Sequence, residues 1–219
     1  MIAGIIGIFV AFLIFVCIIL FAKPKPDPTI AVPLNNFLTQ QGFVPVDQSD
    51  SVFNEISNAL RSTAHNSLIV QMYRRYSDDI VVCWVSNSNG HNNNLVAVAP
   101  QTVQTEPWIM LSLPSIKGMG ANFIRKFFEL SGLKSNRSVF SKVEPSITGQ
   151  SIDLYIPKGG GIPSLNSELI NLIPRLGNII LRSTGNKLLV ERISINREET
   201  WEQGARELIR ITQLVRGYL

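Results

Sequence analysis

Histidine, cysteine and serine are the residues of this sequence from which a catalytic or metal site would be built. The two histidines, His65 and His91, lie in polar stretches typical of turns, and Cys83 lies in an apolar stretch typical of a strand. Structural zinc needs four such ligands close together, and no serine lies in the Gly-x-Ser-x-Gly pattern of a nucleophile elbow. We therefore expect no metal, no cofactor and no catalytic residue, while a triad assembled only in space stays open.

The only paired carboxylates in the first half of the folded region are Asp78 and Asp79. They follow Arg74 and Arg75 closely, between two apolar runs. Opposite charges flanking a short polar break are typical of a hairpin turn. We expect a turn here rather than a catalytic or metal-binding carboxylate pair.

Two glycine-rich stretches resemble phosphate-binding loops only in part. The run 158–161 lacks the lysine–hydroxyl pair that ends a nucleotide-binding P-loop, so a flexible connector is predicted. The run 117–122 leads into a predicted helix, whose N-terminal amides could face an anion. The full dinucleotide pattern is absent there, so a simple turn into the helix is favoured.

Basic residues are concentrated in the segment 116–160, which carries seven basic and three acidic side chains. Such a segment could contact anionic lipid headgroups, at about 1 kcal/mol per basic residue near a membrane surface. A mixed, solvated face is the alternative, and nucleic acid is disfavoured because no recognised binding motif accompanies the charge. The candidate residues are Lys117, Arg125, Lys126, Lys134, Arg137, Lys142 and Lys158.

Apolar periodicity predicts the elements that would carry these residues. Helical spacing predicts helices over 51–64, 122–131 and 165–173, the second with Phe123, Phe127 and Leu130 inward, and a last helix capped by Asn196 and Glu199. Stretches rich in β-branched and aromatic residues predict strands. The predicted strands are 67–73, 80–86, 95–99, 108–113, 152–156, 178–182 and 188–193.

The N-terminus is the most apolar part of the chain. Residues 2–22 carry no charge, whereas 16% of the whole chain is charged. Such a run spans about 31 Å as a helix, close to the hydrocarbon thickness of a bilayer. Lys23 and Lys25 follow it, and this positive flank favours a cytoplasmic C-terminal domain. We expect an uncleaved single-pass signal-anchor that contacts the lipid bilayer.

The fold class that follows is α+β, with an N-terminal transmembrane helix before a soluble domain with a largely antiparallel sheet and about four helices. The predicted boundaries are a transmembrane anchor over 1–22, a stiff proline-rich tether over 23–33, and a globular domain over 34–219. A division into two lobes near 157–163 is the alternative.

This layout resembles that of uncharacterised single-pass membrane-anchored bacterial proteins. The resemblance covers the whole chain and rests on the span, the proline-bearing tether, the hairpin 179–193 and the helix 201–215. It implies a bacterial membrane location and transfers no catalytic residue.

Three functions remain open on the sequence alone. The leading hypothesis is a membrane-tethered cytoplasmic domain that binds a protein partner or acts as a scaffolding or accessory component of a membrane complex. The first alternative is an enzyme or small-ligand domain whose site the sequence does not reveal. The second is peripheral binding of anionic lipid headgroups through the basic residues of 116–160.

Overall fold

A computed structural model describes residues 27–62, 67–86, 93–102, 104–116, 118–128, 140–143, 152–194 and 198–219. Within these residues the chain forms five helices, which we number in chain order. They are α1 (Pro28–Gln40), α2 (Ser51–Ser62), α3 (Met119–Phe127), α4 (Ser167–Leu172) and α5 (Trp201–Arg216). A 3-10 turn over Ile173–Leu176 continues α4.

The strands of the described residues form one antiparallel sheet with the order β1-β2-β3-β4-β9-β8-β5-β7-β6. They are β1 (Val44–Pro45), β2 (Leu68–Arg75), β3 (Ile80–Ser86), β4 (Asn93–Pro100), β5 (Trp108–Ser112), β6 (Phe140–Lys142), β7 (Ile152–Pro157), β8 (Ile179–Ser183) and β9 (Lys187–Arg192). The sheet is continuous across 157–163, where a boundary between two lobes was the alternative. Strands β5 and β7 precede this segment and pair with each other, and β5 also pairs with β8, which follows it.

Both faces of the sheet are buried, as strand β3 shows most clearly. Val82 and Trp84 pack into the large core beneath α1, α4 and α5. Val81 and Cys83 pack on the opposite face, beneath α2. Because side chains of a strand alternate between faces, a strand buried on both sides must be apolar throughout, and β3 is. We call the face beneath α1, α4 and α5 the first face, and the other the second face.

The second face is covered in two separate places. Helix α2 packs on β2, β3, β4 and β9, and α3 packs on β5, β7 and β8 through residues that include Ile124 and Phe128. Polar side chains lie between the two clusters. Arg182 of β8 is only 4% exposed, and its Nη1 lies 2.6 Å from Oε2 of Glu191 on β9.

The predicted fold class needs correction in two respects. The described residues hold five helices rather than about four, and no helix among them is long and apolar enough to cross a membrane. The run 2–22, on which the spanning helix was predicted, lies outside the described residues. The α+β character and the antiparallel sheet agree with the expectation.

Helix α1 begins inside the segment predicted as an extended tether. Asp27 caps it, with Oδ1 accepting from the backbone N–H of Thr29 at 2.9 Å, and Pro28 fills the first position. Proline suits the first turn of a helix because its missing N–H has no partner there. Ile30 of this helix is already buried in the large core, so the folded region begins before the predicted residue 34.

Three local predictions also differ from the structure. Helix α3 begins at Met119 rather than at 122, and Phe123, predicted inward, is 71% exposed. Helix α4 begins at Ser167 rather than at 165 and ends at Leu172. Helix α5 is capped by a box of Thr200 and Gln203, because the carboxylate of Glu199, the predicted capping partner, is held by other residues. Asn196, Leu130 and the side chain of Phe127 lie outside the described part of the chain.

Candidate functional site

Among the basic residues of 116–160 that the structure describes, two share one carboxylate. Nε of Arg125 on α3 and Nζ of Lys142 on β6 lie 2.5 Å and 2.6 Å from the carboxylate of Asp153 on β7. Lys126 and Lys158 are exposed. The structure thus brings two of the candidates together around one acid. Lys117, Lys134 and Arg137 lie outside the described residues.

The described residues considered as nucleophiles or metal ligands are not placed for either role. Cys83 is fully buried, and burial raises the pKa of its thiol far above the range in which a nucleophilic thiolate forms. Within the described ranges no group of His, Cys, Asp or Glu side chains could hold a metal ion. His65 and His91 fall outside those ranges.

The pair Asp78–Asp79 forms the turn between β2 and β3, as predicted. Arg75 donates to both carboxylate oxygens of Asp78, at 2.9 Å and 2.6 Å, and Arg74 pairs with Asp79. Partial burial raises the pKa of Asp78, but hydrogen bonds from Arg75 and Gln213 outweigh it and leave that pKa below its ordinary value. Arg216 of α5 donates to the backbone carbonyl of Asp78. The turn therefore joins the hairpin to the last helix.

The glycine-rich run 158–161 binds a carboxylate of the same chain, that of Glu106. The N–H of Gly161 donates to Oε2 of Glu106 at 2.8 Å, and the N–H of Gly160 donates to the carbonyl of Pro157 at 2.9 Å. A Cβ at Gly160 would lie 3.1 Å from that carbonyl oxygen. The close approach explains the glycine, and the loop is tied to the start of β5 rather than being a loose connector.

A concave surface lies where β9 ends and α5 begins. Nη1 of Arg192 lies 2.5 Å from Oε1 of Glu199, and the hydroxyl of Ser194 donates to Oε2 at 2.6 Å. Burial raises the pKa of Glu199, but the bonds from Ser194 and Arg192 outweigh it and hold that pKa below its ordinary value. Glu199 is therefore ionised at neutral pH and accepts from both neighbours.

Two cavities flank this triplet of Arg192, Ser194 and Glu199 and share it as lining. One has a volume of about 180 Å³ and the other of about 350 Å³. We call the two together the β9–α5 groove. The residues that line only the smaller cavity are Asn93, Asn94, Leu95, Thr200, Trp201, Gly204 and Leu208.

The apolar floor of the smaller cavity is formed by Leu95, Trp201 and Leu208. The ring of Trp201 lies 6.3 Å from that of Trp84, and the buried Trp84 donates through Nε1 to Oδ1 of Asn93 at 3.0 Å. Gly204, one turn into α5, lines the same cavity, and a Cβ built on it meets no atom within 4 Å. The groove thus combines an apolar floor with a charged, hydrogen-bonding rim.

Sequence reasoning did not find this groove. Glu199 was assigned to a capping box and Arg192 to the end of a strand, and nothing in their spacing places them together. The available signal was a second capping pattern, Thr200 with Gln203, which would have left Glu199 outside the helix and accessible to other partners.

A second surface with a distinct character is the outer face of α3. Met119 is 89% exposed and Phe123 is 71% exposed. They lie four residues apart and therefore on the same side of the helix. Lys126 is also exposed on this helix, and residues 119–127 contain no acidic side chain.

Comparisons with known proteins give one distant likeness. No protein-family model matches the chain, and no curated protein matches it. Among solved structures it is similar to the mycobacterial trehalose monomycolate transport factor A, with a TM-score of 0.42 and 11% sequence identity, over 87% of this chain and 96% of that one.

Proposed function

We propose that this protein is a non-catalytic accessory component of a membrane complex, attached to the bilayer through the uncharged run 2–22 with its folded domain in the cytoplasm. It binds an extended segment of a partner protein in the β9–α5 groove. The observation that carries the proposal is the pair of cavities joined at Arg192, Ser194 and Glu199.

The chemistry of the groove suits a peptide segment. Leu95, Trp201 and Leu208 offer apolar contact for a partner's side chain. The charged triplet at the rim offers both donors and acceptors, which an extended backbone needs for its own N–H and carbonyl groups. A groove of this kind recognises a segment by one apolar anchor surrounded by a polar rim.

Binding is favoured over turnover because the polar side chains at the groove are engaged with one another. Glu199 is held ionised by Arg192 and Ser194, and a general acid or base at neutral pH needs a pKa raised toward 7. The buried Cys83 is far from nucleophilic. These features support a binding role for the described domain.

A small polar ligand is the second candidate occupant. The smaller cavity, at about 180 Å³, is lined by an indole ring and by several polar groups that converge on it. Small-molecule sites commonly combine an apolar lining with a few placed polar groups. If a small polar ligand is the occupant, the purified chain should bind that ligand in the absence of any other protein.

Gly204 offers a direct test of the groove. Leucine and alanine are both good helix formers, so either replacement favours α5 by up to about 1 kcal/mol. Only leucine fills the cavity beside Trp201. We predict that the tagged full chain with Gly204→Ala co-purifies with its partner from mild detergent at the wild-type ratio, and that Gly204→Leu loses the partner by at least tenfold.

The thermal stability of the two variants is the control, since both should melt at or above the wild-type temperature. Equal partner recovery with both variants would show that the groove is not the docking site. Reproducible purification of the wild-type chain alone from native membranes would contradict the accessory role itself.

A further inference from the structure

Strand β4 extends beyond its neighbour β9 at the end that lines the β9–α5 groove. On one side, β4 pairs with β3 along residues 93–98. On the other side, its pairing with β9 begins only at Val96, which lies opposite Glu191. The next residue of β9, Arg192, continues the ladder with β8. Residues 93–95 of β4 therefore border a gap between β4 and β9 within the described sheet.

The backbone groups of Asn93 and Leu95 point toward this gap. In an antiparallel ladder each residue directs its N–H and its carbonyl to the same neighbouring strand, and successive residues alternate between the two neighbours. The N–H of Gln101, directly after β4, donates to the carbonyl of Asn186 in the turn between β8 and β9 at 2.9 Å. Odd-numbered residues of β4 therefore face β9, and Leu95 and Asn93 continue that series into the groove.

A side chain takes the place of a neighbouring strand at one of these groups. The N–H of Leu95 donates to Oδ1 of Asn94 at 2.8 Å, a bond that the carbonyl of an adjacent strand would otherwise accept. Nδ2 of the same amide donates to Oε1 of Glu191 at 2.6 Å, so the side chain crosses from β4 to β9. Because a buried N–H without an acceptor is costly, Asn94 acts here as a substitute for strand pairing.

We infer that the partner segment in the β9–α5 groove binds as an added strand of the sheet. Its backbone pairs with the N–H and the carbonyl of Asn93, and one of its carbonyls displaces the Asn94 amide from the N–H of Leu95. This inference rests on the proposed function and names how the segment is held. In recognition of this kind, main-chain bonds to a strand edge give affinity and side-chain pockets give specificity.

The smaller cavity sets the chemistry of the segment. Side chains of an added strand alternate between the two faces of the sheet, and those on the first face meet the apolar floor of Leu95, Trp201 and Leu208. The ion pair of Arg192 with Glu199 at the rim carries no net charge. The segment that fits is therefore uncharged at its central position and carries a β-branched or aromatic side chain there, as strands commonly do.

A matched pair of variants at Asn93 tests the added strand. Asn93 is the first residue of β4, a position at which a strand tolerates proline. Asn93→Pro removes the N–H that the segment would use, whereas Asn93→Ala keeps it, and both lose the same side-chain bond to Trp84. The tagged full chains are purified from native membranes in mild detergent, and the ratio of partner to tagged chain is compared.

The expected result is that Asn93→Ala retains the partner at the wild-type ratio and that Asn93→Pro loses it by about tenfold, because a carbonyl of the segment loses its donor. Equal loss from both variants would assign the effect to the side chain and contradict backbone pairing.

Hydrogen exchange at the N–H of Leu95 is the second measurement, and it is independent of any variant at Asn93. Asn94→Ala removes the substitute acceptor, so this N–H should exchange faster than in the wild type when Gly204→Leu keeps the partner away. In the complex of Asn94→Ala with the partner, the segment's carbonyl replaces the amide and exchange should slow by about tenfold. The N–H of Ala97, which pairs with β9, is the internal control.

Exchange at Leu95 that is equally fast with and without the partner would overturn the added strand. Loss of the partner from Gly204→Leu would in that case still support the groove as the docking site. Retention of the partner by both Gly204→Leu and Asn93→Pro would overturn the groove and the added strand together. If Asn93→Pro melts below Asn93→Ala, the exchange at Leu95 decides alone. Slow exchange at Leu95 in purified Asn94→Ala without any partner protein would also contradict the added strand, because a small ligand would then occupy the cavity.

Discussion

Arg182 shows how single residues hold this sheet together. Its guanidinium is buried between the two apolar clusters of the second face, over the ring of Phe128 at 5.7 Å and beside Glu191. Asn94 of β4 donates to the other oxygen of Glu191 at 2.6 Å. Within the described residues Nε of Arg182 makes no hydrogen bond. The pair therefore links three strands without being fully satisfied.

Removing one member of this pair should destabilise the protein far more than removing both. Glu191→Leu leaves a buried cation and should lower the free energy of unfolding by about 3–5 kcal/mol. The double variant Arg182→Met with Glu191→Leu replaces the pair by apolar side chains, which is often neutral. Urea denaturation of the full chain in detergent should show that the double variant recovers most of the loss.

The exposed pair Glu207–Arg210 on α5 is the matched control. The two side chains are 35% and 51% exposed, and Glu207→Gln should change the free energy of unfolding by less than about 1 kcal/mol. If the double variant at Arg182 and Glu191 is no more stable than Glu191→Leu, the guanidinium is not the source of the loss.

At the scale of elements, the junction of β9 with α5 depends on the ionised form of Glu199. Its lowered pKa means that folding favours the carboxylate, which gives stability above the ordinary pKa and loses it as the pH falls through the folded value. At neutral pH the bonds to Arg192 and Ser194 therefore support the start of the helix.

Glu199→Gln should accordingly melt at a lower temperature than the wild type at pH 7. The difference should shrink once the pH falls below about 4, near the ordinary pKa of glutamate. Melting curves of the two full chains across this range measure the effect. A difference that is constant with pH would mean that the charge of Glu199 does not stabilise the junction.

The sequence predicted elements well wherever burial imposes a regular pattern. Strand β3 was predicted over 80–86 and forms over Ile80–Ser86, because a strand buried on both faces is apolar throughout. The helix predicted over 51–64 forms over Ser51–Ser62, with Asp50 accepting from the N–H of Val52 at 2.9 Å. Local signals suffice in these cases.

Predictions failed where a competing contact decides the outcome. Alternating prolines at positions 24, 26 and 28 predicted an extended tether, but Asp27 caps a helix in which Pro28 takes the first position. Phe123 was expected inward from its spacing, but Arg125 can reach Asp153 only if the helix turns Phe123 outward. The β9–α5 groove brings together residues whose contacts form only in the fold, so no local pattern revealed it.

In the whole molecule, one antiparallel sheet carries the elements that form the β9–α5 groove. Ion pairs at Asp78, Asp153 and Glu191 hold strands or helices to one another. The β9–α5 groove lies beside α5 on the first face, and α3 packs on the second face. The proposed partner therefore approaches from the face opposite α3.

The most direct test of the central claim is photo-crosslinking from inside the groove in native membranes. A photoreactive phenylalanine analogue replaces Ser115, an exposed residue that lines the larger cavity, and a second chain carries it at Ile162 as the control. We predict one discrete protein adduct from position 115, its loss when Gly204→Leu is added, and no adduct from position 162. No adduct from position 115, or the same adducts from both positions, would contradict the proposal that the groove binds a partner.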